Sequence, residues 1–207
     1  MIVSKIQRDK KHLTKLLLDG DTEILIDNDV FSENDITVGK NITEDELRTL
    51  QYDSDYRRAK SRAFWYLDRM DYTEKALYEK LIKAGFSKKA SAAVLARLCE
   101  LGVVDDRRYA ERISERLKEN NVSAREAMHK MLLKGVPYDL AKEMLQNSEA
   151  NEEEQIKNLL EGKYSYKLTQ EKGIEKVYAA LVRKGFSYSA VKTAMKNYTE
   201  QLEFCEE

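Results

Sequence analysis

The chain has 207 residues, 42% hydrophobic and 35% charged, with a formal net charge of −1, one Pro and eight Gly. That length suits one elongated domain or a small domain beside a larger one, and the charged, Pro-poor composition suits a helical protein. Near-zero net charge argues against a dedicated, tight DNA binder, no run is long or apolar enough to span a membrane, the first residues lack a signal-peptide pattern, and Cys99 and Cys205 are too few for a disulfide framework or metal site, so the expected setting is the cytoplasm.

Residues 1–50 read as a small β-containing head. Ile2–Arg8, Leu13–Leu18 and Glu23–Asp27 are apolar or β-branched runs with Lys interleaved, and Asp19-Gly20 lies between two of them as a hairpin signal. A short antiparallel sheet follows from these, then a short helix near Asp29–Asn34. Thr43-Glu44-Asp45-Glu46 is a capping-box pattern that predicts a second short helix, Glu44 to about Gln51, linking the sheet to what comes next.

From there the chain repeats. Lys75–Leu95, Arg125–Leu145 and Glu175–Met195 align without a gap at a spacing of fifty residues, superposing Gly85 on Gly135 and Gly185, Leu81 on Met131 and Leu181, and Phe86 on Val136 and Phe186. Each copy is an amphipathic run, a Gly able to take positive φ, an apolar residue folding back on the last turn, and a Ser or Pro opening a second run. One such pair cannot bury its apolar face alone, so three in series are expected to share a continuous core.

The expected organisation is a head over 1–50 and three three-helix repeats over 51–104, 105–148 and 149–207. In repeat one, a helix over Asp55–Arg69 buries Ala59, Ala63, Tyr66, Leu67 and Met70. Thr73 or Asp71 caps the next, which ends at Gly85, and Ser87 opens a third burying Val94, Leu95, Leu98 and Leu101 before Gly102. Repeat two opens at Asp105-Asp106 with Tyr109, Ile113 and Leu117 as its stripe. Ser123–Glu126 reads as another capping box, and Pro137 sits just inside the following helix. Repeat three has a helix over Asn151–Leu160 with Glu152–Glu154 at a solvated N-terminus, a polar loop over Glu161–Thr169, and a last helix ending around Tyr198–Leu202 before a frayed tail, Phe204–Glu207.

No phosphate loop, HExxH, CxxC or Ser/His/Asp arrangement is present, and His12 and His129 are the only histidines, so the chain reads as a non-enzyme without cofactor or metal. Asp105-Asp106 is the paired carboxylate at an element boundary. Helix capping explains it, and a catalytic dyad or Mg²⁺ site has no other support. Charge is uneven: residues 51–102 hold 11 Lys and Arg against 7 Asp and Glu, while residues 1–50 hold 7 against 11. The excess centres on Arg57, Arg58, Lys60 and Arg62. Arg58 and Arg62 share a face at four-residue spacing, with Arg57 and Lys60 in the adjacent row. This is either a solvated face or a surface for an acidic groove or phosphates. Trp65 lies between Phe64 and Tyr66, and three consecutive aromatics cannot all face one core. Phe64 or Trp65 therefore packs on the head or anchors a partner. A second basic set, Arg116, Lys130 and Lys134, is the fallback surface.

The string Ala63–Leu77 (AFWYLDRMDYTEKAL), followed by Leu81 and Gly85, resembles the RecX family, and Leu101–Ala110 (LGVVDDRRYA) matches that family's most recognisable segment. The likeness spans about residues 55–145. The third repeat agrees in pattern, and the head is similar to an N-terminal extension of some members. The resemblance implies an elongated, monomeric helical-repeat modulator of RecA. It would lie in the groove of the RecA–DNA filament and inhibit filament extension, ATP hydrolysis, strand exchange and coprotease activity, in the setting of recombination, DNA repair and the SOS response, with at most a weak DNA contact of its own. It supplies no catalytic residues. Two other classes stay open: a helical-repeat scaffold for an unrelated protein, and a DNA-binding module of helix–turn–helix-like pairs.

Overall fold

The structure is a computed structural model that describes residues 1–8, 12–146 and 152–205, the last five by backbone alone. It divides into two compact units, Met1–Val104 and Asp105–Glu207.

The first unit opens with strands β1 (Val3–Arg8), β2 (Leu13–Leu18) and β3 (Thr22–Asp27), an antiparallel sheet in the order β1-β2-β3. The turn between β2 and β3 places Asp19 and Gly20 at φ 52° and 93°, the positive region a tight hairpin needs. Alternation puts Leu16, Leu18, Ile24 and Ile26 on the buried face, where Val30 of helix α1 (Asn28–Glu33) completes the head core with Leu47 and Leu50.

Leu47 and Leu50 belong to α2 (Glu44–Leu67), and here the expectation of a separate linking helix fails: α2 runs unbroken for 24 residues. The capping box forms at its start, with Thr43 Oγ1 accepting from Glu46 N–H and Thr43 N–H donating to Glu46. No Gly or Pro interrupts residues 51–55. Ser54, a residue type suited to capping a new helix, is buried and accepts from Asp27 N–H at 2.8 Å. One helix thus lines two cores, Leu47 and Leu50 in the head and Ala59 and Ala63 in repeat one. The alanines let α3 (Glu74–Lys83) and α4 (Lys88–Glu100) close against α2 over Leu77, Leu81, Val94, Leu95 and Leu98. Burying each such Leu contributes about 1.5–3 kcal/mol. Met70 and Leu101, expected inside, are about half exposed: α2 ends at Leu67, and Leu101 is the C-cap of α4.

The second unit holds α5 (Asp106–Glu119), α6 (Ala124–Leu133) and α7 (Tyr138–Leu145), then α8 (Glu152–Glu161), α9 (Ser165–Leu168), α10 (Gly173–Arg183) and α11 (Tyr188–Cys205). On α5 the fully buried positions are Ala110 and Ser114, flanked by the half-buried Tyr109, Ile113 and Leu117. Ser123 caps α6, but the box is one-sided, because the Glu126 carboxylate pairs with Lys130 Nζ at 2.7 Å. Pro137 is the N-cap of α7, one position earlier than expected. The Glu161–Thr169 stretch is no open loop: it contains α9 and buries Tyr164 against the third core, where desolvation raises the phenol's pKa. Asn151 and Glu206–Glu207 lie outside the described residues, and α11 continues to Cys205. Within each unit the apolar residues form two clusters instead of one continuous core.

The repeat shows most plainly in how its helices end. Gly85, Gly135 and Gly185 sit at φ 92°, 87° and 89°. In each turn the Gly N–H donates to the carbonyl three residues back, and the next residue's N–H to the carbonyl five back: Phe86 to Leu81, Val136 to Met131, Phe186 to Leu181. These are Schellman closures. The first and third helices are tied differently in each repeat. Ser87 N–H donates to Asp55 at 2.8 Å, and Arg107 pairs with Glu143 at 2.7 Å. Ser187 donates from both N–H and Oγ to Glu152, at 3.2 and 2.6 Å. Repeat two needs its ion pair because Pro137 stands where the others have Ser and has no N–H to give. Glu152, expected in solvent, is therefore buried.

Candidate partner-binding surface

The four basic residues singled out on α2 are not equivalent. Arg57 is spent inside the molecule: its guanidinium meets Asp29 at 3.1 Å and Glu33 at 2.8 Å, both on α1. Its hydrogen bond to the Glu33 carboxylate, then the charges of both acids, raise its pKa above the ordinary value. Arg57 thus joins the head to repeat one. Arg58 lies over the ring of Phe86 at 5.8 Å, and Arg62 over Trp65 at 5.3 Å. Lys60 is exposed beside a hollow that Phe64, Tyr56 and Asp53 help to line.

Phe64 and Trp65 remain 42% and 46% exposed, so neither is taken up by the head core. Trp65 instead lines an open groove of about 700 Å³ with Arg58, Arg62 and Phe86 on one side and His12, Leu13 and Asn28 of the head on the other. Two further side chains belong to this face that the sequence reading passed over. Arg69 stacks on Trp65 at 3.5 Å, its guanidinium also donating to Trp65 O, and Lys80 lies 5.0 Å from the rings of both Tyr66 and Tyr72. Arg69 was legible from the spacing of Arg62, Trp65 and Arg69, three and four apart as on a helix surface, although Arg69 itself stands in the turn just past α2. Phe86 and Lys80 come from α3 and the turn after it, so only the fold brings them in.

The remaining basic candidates lie in the second unit. Arg116 is exposed on α5, Lys130 on α6 is paired with Glu126, and Lys134 is the C-cap of α6. Asp105 caps α5, accepting from Arg108 N–H at 3.0 Å, and Asp106 opens the helix. Among the described residues no group of three or more His, Cys, Asp or Glu is placed to hold a metal ion, and no helix is long and apolar enough to cross a membrane.

Against known proteins, residues 59–98 match the family model described as RecX, first three-helix domain, and residues 151–195 match RecX, third three-helix domain. The chain is 26% identical over 197 residues to a protein named Regulatory protein RecX from Caldanaerobacter subterraneus subsp. tengcongensis, covering 94% of this chain and 98% of that one. A protein of the same name from Streptococcus sanguinis is 28% identical over 199 residues, covering 95% and 77%. In fold, the chain is similar to a crystal structure of regulatory protein RecX with a TM-score of 0.65 at 21% identity, covering 94% of this chain and 98% of that one. A RecX structure from Lactobacillus salivarius gives 0.62 at 19% identity, covering 70% and 97%.

Proposed function

The chain belongs to the RecX family, and from that premise we propose that it binds RecA or the RecA–DNA filament and inhibits filament extension, ATP hydrolysis, strand exchange and coprotease activity. The observation that carries this reading is the order of the family matches: first and third three-helix domains fall on repeats one and three of a single chain. The protein acts in the cytoplasm as a monomer without cofactor or catalytic step. Its repeats span 51–104, 105–148 and 149–207 behind the head at 1–50, and its working surface is the α2 face bearing Arg58, Lys60 and Arg62. Arg116, Lys130 and Lys134 are the secondary surface.

The test is RecA ATPase on single-stranded DNA during titration with this protein. Turnover should fall as protein is added. No effect at saturating protein would leave a helical-repeat module unrelated to RecA. Arg58→Glu with Arg62→Glu should melt close to the parent, because Arg62 is exposed and half-buried Arg58 gives up a contact over Phe86 worth about 1 kcal/mol or less. The same variant should inhibit poorly at moderate salt, where several steering charges act together. Parent-like inhibition across a salt series would remove the α2 face as the working surface.

A further inference from the structure

The α2 groove carries an inference about what it grips. Trp65 is partly covered by guanidinium groups, Arg69 at 3.5 Å and Arg62 at 5.3 Å, and Arg58 lies over Phe86. A ring stacked this closely by Arg69 is poorly placed to stack a nucleobase. A guanidinium held over a ring has its position fixed and keeps N–H groups for planar, two-pronged acceptors, for which carboxylate is the protein match. The groove wall also contains Asp27 and Asp29. The first unit as a whole holds 18 Lys and Arg against 18 Asp and Glu, so a polyanionic strand finds no net attraction there. A short acidic segment needs only the local charges.

The molecule contains its own template for such a contact. Helix α1 presents Asp29 and Glu33, four residues apart on one face, to Arg57 of α2. Arg58 and Arg62 sit beside Arg57 on the same helix, with a half-exposed Trp between them and Arg69.

We propose that the groove formed by Arg58, Arg62, Trp65 and Phe86 docks an acidic helical segment of a protein partner, with carboxylates four residues apart on the two arginines and an apolar side chain against Trp65. The proposal deepens the reading above, since it names the chemistry of the partner at that same face. Arg57 takes no part in the contact and instead positions the head as the groove's far wall.

Trp65 is the single Trp of the chain, so its emission reports on this groove alone. The full-length protein is titrated with a blocked, Ala-rich peptide of about 15 residues, long enough to hold a helix, bearing two Glu four apart and a Leu between them. The same peptide with Gln for Glu, and single-stranded oligothymidylate, are the comparison probes. The Glu peptide should shift Trp65 emission saturably, and the Gln peptide should not. Arg58→Glu with Arg62→Glu should weaken the Glu peptide about tenfold, equivalent to 1.4 kcal/mol. A response to oligothymidylate but not to the Glu peptide makes this a nucleic-acid surface and overturns the proposal, as does equal binding of Glu and Gln peptides. No recombinase is present, so loss of the RecA reading and loss of this one are separate results.

Discussion

Gly85 and Gly185 occupy the same turn of the repeat at nearly the same φ, 92° and 89°, yet they should tolerate a methyl group very differently. A Cβ at either position stands in the left-handed region, which costs about 1–2 kcal/mol for an L-residue. At Gly85 nothing lies within 4 Å of that Cβ. At Gly185 it would stand 3.0 Å from Arg125 Cβ and 3.1 Å from Ser123 Oγ, both at the start of α6. Ser123 Oγ accepts from Glu126 N–H and donates to Lys184 O, so one hydroxyl caps the start of α6 and the end of α10. Displacing it adds about 1–3 kcal/mol of overpacking, with about 0.5–1.5 kcal/mol for each hydrogen bond weakened. Gly85→Ala should therefore cost about 1–2 kcal/mol, and Gly185→Ala about 2–5 kcal/mol before any weakened hydrogen bond is added. Amide exchange at Phe86 and Phe186 reads the two turns separately, and urea unfolding gives the totals. Equal losses would show that Arg125 and Ser123 yield freely and that repeats two and three are not locked together at this point.

Other outcomes follow from the same geometry. Ser187→Ala removes both the α11 cap and the hydroxyl that satisfies buried Glu152, so it should cost about 2–4 kcal/mol in urea unfolding. Ser87→Ala should lose only a cap of about 1 kcal/mol, because Asp55 is held by the backbone N–H that alanine keeps. Asp105→Asn should leave stability and RecA inhibition near parental, and Asp105→Ala should lose about 1 kcal/mol of stability; lost inhibition in the Asn variant at unchanged melting temperature would expose a functional carboxylate. Burial raises the Tyr164 pKa, so the neutral phenol favours the folded state. Its contribution is complete below the ordinary phenol value near pH 10 and is lost as pH climbs through the raised folded value. Tyr164→Phe should flatten that alkaline decline, measured as the urea midpoint against pH.

The sequence made the helix ends legible because their chemistry is local. A Gly at positive φ, an apolar residue after it and a Ser or Thr cap are each set by neighbours a few residues away, and the fifty-residue register confirmed them three times. What it concealed depends on distant partners. Glu152 looked like a solvated acid because Ser187 lies 35 residues on. The stretch between Gln51 and Asp55 looked like a break because what holds Ser54 within the helix, its bond to Asp27 N–H, crosses from helix to sheet. Arg57 looked equal to Arg58 until α1 brought Asp29 and Glu33 to it, and the groove on α2 emerged only when Phe86 was carried across from the α3 turn.

The shared helix α2 imposes a phase on the chain. Each residue of an α-helix advances the backbone 1.5 Å and turns it about 100°, and near the middle of this one rod Ser54 is tied to the sheet while Ala59, five residues on, faces the core of repeat one. Adding or removing a single residue between them would swing the head around the axis by about 100°, and a change between Ser54 and Arg57 would also carry Asp29 and Glu33 away from Arg57. The strand turns can lengthen at little consequence, but this interval is metered. Relatives that keep the head should vary in the loops before Thr43 and hold the count from Ser54 to Ala59 fixed.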